Sequence, residues 1–180
     1  MLRQEILRLV RLVEDLHQLT QAEAARTRLT REPVAIAALI EEVLDWNRAE
    51  FESRRIKVET DIATPLPDVI ADRDRIVQVL RNLIQNAWQH TPESGVVRIG
   101  TERTPAGLRV SFVNSGAALG EDEIEHLFER FYRTDKSRSR ETGGAGIGLA
   151  VVKELIEAHG GTVGVATEGD EIRFWFELPV

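Results

Sequence analysis

The chain has no cysteine, which excludes disulfides and thiolate metal sites and makes a cytosolic compartment the default expectation. Long hydrophobic runs are missing too. The longest, Val34 to Ile40, is far short of a bilayer span, and Met1 is followed by charged residues rather than an apolar signal core. Positive charge is in deficit, 23 Lys and Arg against 30 Asp and Glu, for a net charge of -7. No global basic field is left to recruit nucleic acid or anionic lipid, so neither a nucleic-acid partner nor direct membrane contact by this chain is expected. What remains is ordinary for a folded protein: 42% hydrophobic and 29% charged over 180 residues, enough for one full-sized core and a small appendage.

Near the N-terminus, Leu2, Ile6, Leu9, Val13 and Leu16 repeat at four, three, four and three residues, the seam of a helix that packs on another helix. A bundle or coiled-coil helix over residues 2–26 is predicted, with homodimerisation through it. The alternative is an amphipathic helix packed on its own domain. Pro33 breaks the pattern, and two units are expected, residues 1–31 and residues 32–180. Within the second, VAIAALIEEVLDWNRAEFESRR has a helical period and IKVETDI alternates as a strand. A long helix runs from Asp72, its N-cap, to about Gln89, with Ile76, Leu80, Leu83, Ile84 and Ala87 inward. VVRIGTE and LRVSFVN read as strands joined by a turn at Pro105 to Gly107, followed by a short helix at Glu121 to Phe128. A charged loop then covers residues 134–142, a helix runs to about Ala158 with a stop at Gly160 and Gly161, and two strands close the chain. Paired strands favour an α/β (α+β) two-layer sandwich over a doubly wound sheet.

GGAGIGLAVV, Gly143 to Val152, sets glycines directly before a helix. A dinucleotide fingerprint would need glycine at Leu149 or Val151, and a P-loop would need lysine after Gly148, so both fail. A glycine turn at a helix N-terminus remains, suited to an anion or simply to close helix packing. In the long helix Asn82, Asn86 and Gln89 form an amide stripe, read as lying opposite the buried face. Asparagine is a poor interior helix former, and an amide oxygen can coordinate a hard cation such as Mg²⁺. Asn114, followed by Gly116 at a strand end, is a third polar candidate.

Together these segments resemble the catalytic and ATP-binding domain of sensor histidine kinases of two-component systems, in the wider ATPase group shared with DNA gyrase, MutL and heat-shock chaperones. RNLIQNAWQHT is similar to the N box, VNSGAALG to the first glycine box, FERFYR to the F box and GGAGIGLAVV to the second glycine box. The resemblance implies a mixed, mostly antiparallel five-stranded sheet covered on one face by three helices, the Bergerat-type ATP-binding fold. It likens residues 2–26 to the second helix of the dimerisation and phosphoacceptor domain.

The same resemblance gives ATP and Mg²⁺ as cofactors, with Asn86 on the metal and Asn82 beside it on phosphate or metal-bound water. Asn114 would contact adenine, and Arg130 or Arg133 would reach the γ-phosphate. Gly144, Gly146 and Gly148 would cradle the phosphates, with Gly116, Gln89, Ile147, Leu149 and Lys136 completing the nucleotide contacts. Implied partners are the dimerisation/phosphoacceptor helix of a parent kinase and a response regulator, and the implied location is cytoplasmic in a parent anchored in the cell membrane. Trp88, inside the N box, offers a fluorescence reporter of binding.

The chain departs from that pattern at several places. Asn114 stands where the family usually has an aspartate, Gln89 where a basic residue is common, and Ala118 where the second glycine of its box is expected. The family's phosphoacceptor histidine lies on a preceding helix, and His17 lacks the acid and proline that accompany it, so binding without self-phosphorylation is expected. His90, His126 and His159 read as structural. Two other readings stay open: a non-catalytic nucleotide-binding or dimerisation module, and a serine kinase of the anti-sigma-factor type.

Overall fold

The computed structural model describes Thr20 and residues 28–116, 119–133 and 146–180. The helix expected over residues 2–26, apart from Thr20, and the loop over residues 134–142 lie outside the described residues. In chain order the elements are β1 (Glu32–Val34), α1 (Ile36–Trp46), α2 (Arg48–Ser53), β2 (Lys57–Ile62), β3 (Val69–Ala71), α3 (Arg73–His90), β4 (Val96–Thr104), β5 (Gly107–Ser115), α4 (Glu121–His126), α5 (Gly148–Ala158), β6 (Thr162–Glu168) and β7 (Glu171–Leu178).

Period-two alternation builds the main sheet. Val97 and Ile99 on β4, Leu108, Val110 and Phe112 on β5, and Ile172, Phe174 and Phe176 on β7 all point to one buried face. Strand order is β2-β4-β5-β7-β6, with β2 parallel to β4 and the other neighbours antiparallel. This is the mixed five-stranded sheet expected. Three helices cover its apolar face and share one core with it: α1 through Ile36, Leu39, Ile40 and Val43, α3 through six buried aliphatic residues, and α5 through Ala150, Val151, Val152, Leu155 and Ile156. On the opposite face the Arg109 guanidinium lies 4.6 Å from the Trp175 ring centroid and pairs with Glu177 at 3.0 Å.

Three local features differ from the sequence reading. The segment VAIAALIEEVLDWNRAEFESRR is two helices, because Asn47 Nδ2 turns back to the Val43 carbonyl at 2.7 Å and competes with the helical ladder. Pro33, read as a break, lies in β1, which pairs antiparallel with β3 in a separate two-stranded sheet. A proline fits there because an edge strand leaves one side of its backbone unpaired. The short helix α4 stops at His126 rather than Phe128.

Both ends of α3 are tied down. At its start Asp72 Oδ1 accepts from the Arg75 N–H at 3.2 Å. At its end the Arg54 guanidinium donates to the Trp88 carbonyl and, at 2.7 Å, to that of Thr91, neutralising the negative pole of the helix. Gly160, in the left-handed region at φ +81°, ends the helical turn after α5.

His159 joins the two helices. It is 2% exposed, its Nδ1 donates to the Leu155 carbonyl at 2.7 Å, and its Nε2 accepts from the Asp72 N–H at 3.0 Å. That pair of bonds selects the neutral ring, and burial lowers its pKa below the usual histidine value. The incoming chain docks on the same spot: the Thr30 N–H donates to Asp72 Oδ2 at 3.0 Å and Arg31 to the Ala158 carbonyl at 3.1 Å.

Candidate functional site

The N-terminus of α5 is the natural starting point, because it has no side-chain cap and no acid in its first turn. Among the described residues no side chain caps its first N–H groups and no acid of its own first turn faces the positive end of its dipole. By contrast α3 has both a capping Asp72 and an acidic Asp74 in its first turn.

Gly146 sits two residues before α5 at φ +77°, and a Cβ there would lie 2.5 Å from the Tyr132 carbonyl oxygen. Only glycine fits this turn without displacing its neighbours. The contact is closed by the Phe131 N–H, which donates to the Gly146 carbonyl at 2.9 Å. Phe131 has φ +64°, uncommon for a side chain of that size, and its ring is largely exposed. Thus FERFYR and the glycine segment, separate in sequence, are bonded backbone to backbone.

The amide stripe of α3 lies beside this turn. Asn82 Nδ2 donates to the Gly148 carbonyl at 3.2 Å, which fixes α3 against the first turn of α5. Asn82, Asn86 and Gln89 are half-buried, whereas Arg81 and Gln85 are exposed, so the amides occupy the flank of α3 rather than the side opposite its core. The reason is the packing of α5 on that side of α3, marked by the Asn82 bond to Gly148, since the helical period alone sets position 82 about as far from the buried stripe as position 81.

Trp88 lies on the other flank. Its Nε1 donates to the Glu50 carbonyl at 2.9 Å and Arg54 covers its ring at 5.3 Å from the centroid. Its ring thus sits where α2 packs against α3, away from the amide flank.

Asn114 ends the inward-facing row of β5. Its backbone is held in register between Val97 of β4 and Ile172 of β7, and it is 1% exposed. Neither atom of its amide has a hydrogen-bond partner among the described residues. Leaving both ends of a buried amide unpaired is costly, and a group left so in a native fold calls for a ligand or another reason. Next to it, the position of a Cβ on Gly116 is 3.4 Å from the His90 carbonyl and 3.7 Å from Asn114 Nδ2, which places the amide by the last turn of α3.

Residues 71–180 match the family described as histidine kinase-, DNA gyrase B-, and HSP90-like ATPase. The chain belongs to this ATPase family.

Among its relatives, the signal transduction histidine-protein kinase BaeS of Escherichia coli (strain K12) is 35% identical over 162 residues, covering 90% of this chain and 34% of BaeS. Full-length ShkA, solved in complex with AMPPNP, superposes with a TM-score of 0.83 at 34% identity, covering 95% of this chain and 35% of that one. The catalytic domain of histidine kinase ThkA gives a TM-score of 0.72 at 31% identity over 85% of this chain and 96% of that domain. ThkA in complex with the response regulator protein TrrA gives 0.77 at 27% identity, covering 99% of this chain and 51% of that one. The chain spans less than half the length of the curated relatives it matches.

An ATPase domain of the sensor-kinase type thus has ATP as its ligand class, and the donor set fits that ligand. An unpaired buried amide suits a base edge, an uncapped helix N-terminus suits phosphate, and half-buried amide oxygens suit a hard cation. Among the described residues no group of three His, Asp or Glu side chains is placed to hold a metal. Nor is any described helix long and apolar enough to cross a membrane. Arg130 and Arg133 both precede the Gly146 turn, and Arg130 pairs with Glu154 of α5 at 3.4 Å. Glu154 went unnoticed in the sequence, where it reads as one more solvent-facing acid of a helix. Gly146, Ile147, Gly148 and Leu149 sit together at the α5 terminus, and Gly116 and Gln89 at the Asn114 end. Lys136 and Gly144 lie outside the described residues.

Proposed function

We propose that this chain is the Mg·ATP-binding catalytic region of a sensor histidine kinase, comprising a dimerisation-helix segment over residues 1–31 and a catalytic domain over residues 32–180. The observation that carries this reading is Asn114, a fully buried amide with neither end paired, set at the strand end beside the last turn of α3. Its amide takes the purine, the α5 N-terminus with Gly144, Gly146 and Gly148 takes the phosphates, and Asn86 would hold Mg²⁺. The metal supplies charge neutralisation on the phosphates.

The protein groups act by position. Asn82 holds the α5 terminus in place through Gly148, so the amides that meet phosphate are pre-aligned. Arg130 and Arg133 flank Phe131, which is bonded to Gly146, and would meet the terminal phosphate, with Lys136 adding positive charge. A histidine on a different helix of the parent kinase's dimerisation domain, not on residues 1–31, attacks the γ-phosphorus, the bond to the β-phosphate oxygen breaks, and ADP and phosphohistidine result. A response-regulator aspartate is the proposed next acceptor, as the ThkA–TrrA assembly suggests for a relative, with the parent kinase anchored in the cell membrane.

Calorimetry with AMPPNP, with and without Mg²⁺, tests the assignment. Wild type should bind in a Mg²⁺-dependent way, and Asn86→Ala should lose that dependence and weaken binding at least about tenfold. Equal heats for the two proteins would refute the metal assignment. Radiolabelled ATP should leave this chain unlabelled and label an added histidine-bearing dimerisation fragment, and label on His17 would contradict the reading.

A further inference from the structure

We propose that Asn114 makes the site accept 6-oxopurine nucleotides as well as 6-aminopurine ones. This rests on the ATP-site reading and deepens it. The 6-amino edge of adenine offers a donor at N6 and an acceptor at N1. The 6-oxo edge of hypoxanthine or guanine reverses the pattern, with an acceptor at O6 and a donor at N1.

Facing the exocyclic group at position 6, a carboxylate, which carries acceptors only, can meet the amino group but not the oxo group. An amide carries both. Rotating its plane by a half turn exchanges oxygen and nitrogen, so it matches either edge, provided that nothing in the protein has already fixed its orientation.

The structure meets that condition. Oδ1 and Nδ2 of Asn114 are both without partners among the described residues, so neither orientation costs a protein hydrogen bond. Neighbouring polar groups are engaged elsewhere. The Thr91 hydroxyl donates to the Ala87 carbonyl at 2.6 Å, Ser115 Oγ accepts from the Val96 N–H at 3.0 Å, and the Gly116 N–H donates to the Asp170 carbonyl at 2.9 Å. Meanwhile the backbone of Asn114 is locked in the ladder between β4 and β7, which fixes the direction of its Cα–Cβ bond, and the residue is 1% exposed. Base choice falls to an amide that is fixed in place and free in orientation.

Inosine diphosphate is the discriminating probe, because it differs from ADP only at the 6-oxo edge and cannot donate a γ-phosphate. Calorimetry of ADP and inosine diphosphate with Mg²⁺ on wild type should give affinities within about tenfold of each other. Asn114→Asp should widen the preference for ADP to about a hundredfold or more, since a site that leaves buried polar groups mismatched rejects the wrong ligand steeply. A wild type that already prefers ADP a hundredfold overturns the proposal while leaving the ATP site intact. An unchanged ratio in Asn114→Asp overturns the role of this residue. Binding of neither diphosphate overturns both the proposal and the site on which it rests. If Asn114→Asp does not fold, as judged by its thermal melt, the wild-type ratio decides alone.

Discussion

Replacing His159 by leucine removes one acceptor and one donor from the junction of α3, α5 and the incoming chain. The Leu155 carbonyl keeps its bond from the His159 backbone N–H, so the unpaired group left behind is the Asp72 N–H. A buried donor without a partner costs about 1–3 kcal/mol, and because Asp72 is only half-buried the lower part of that range, about 1–2 kcal/mol, applies. For a chain of this size that lowers Tm by roughly 2–8 °C at neutral to basic pH.

The loss should depend on pH with a definite sign. Burial holds the wild-type imidazole below its unfolded pKa of about 6.5, so in that window the unfolded chain binds more protons and stability rises with pH. The contribution is complete above about pH 6.5 and is lost as pH falls through the folded value, with a slope of at most about 1.4 kcal/mol per pH unit. Urea denaturation at pH 8 and pH 5 should therefore show His159→Leu less stable at pH 8 and the gap closing at pH 5. Asp72 and Arg31, which also face the ring, are present in both proteins. A variant as stable as wild type at pH 8, or one with an unchanged gap at pH 5, would refute the role assigned to the neutral ring.

Asn114→Leu should raise the thermal stability of the nucleotide-free protein by about 1 kcal/mol or more, because it removes two unpaired buried groups, while abolishing nucleotide binding by calorimetry. A destabilised variant that still binds ADP would contradict the reading of that amide. Gly146→Ala should cost about 1–2 kcal/mol from the left-handed backbone alone. Hydrogen exchange should then accelerate at the Phe131 amide, which is bonded to the Gly146 carbonyl. An unchanged exchange rate would show that the turn tolerates a side chain.

Periodicity carried most of the architecture. The apolar spacing of α3 and its Asp72 cap, and the alternation of β4, β5 and β7, are local signals, and the structure follows them. β1 and β3 were not legible because each has three residues and they form only by pairing with each other, Glu32 with Ala71, Pro33 with Ile70 and Val34 with Val69, across a long separation in sequence. For the site, the residue types were visible but not their surroundings. The amides of α3 were assigned to the wrong part of the helix surface because the centre of the buried stripe depends on what packs there. Asn114 could be placed at a strand end, yet its unpaired state follows from neighbours on β4, β7 and α3 that no local pattern reveals. The left-handed Phe131 has no sequence signal at all, since the conformation is imposed by its bond to Gly146.

The adjacency of β5 and β7 has a consequence for how this protein can vary. Ser115 faces Glu171 across the sheet, so the roughly 55 residues between them form a chain closure that the sheet has already made. Closure entropy grows only with the logarithm of loop length, so ten further residues inserted among positions 117–145 would add about 0.2 kcal/mol. Added length is thus cheap in closure entropy, whereas Leu119, Leu127 and Phe128, which pack against the core, tie the composition of part of that stretch to folding. Insertions are therefore weighed by what they do to nucleotide handling, and substitutions at Leu119, Leu127 or Phe128 by what they do to the core as well.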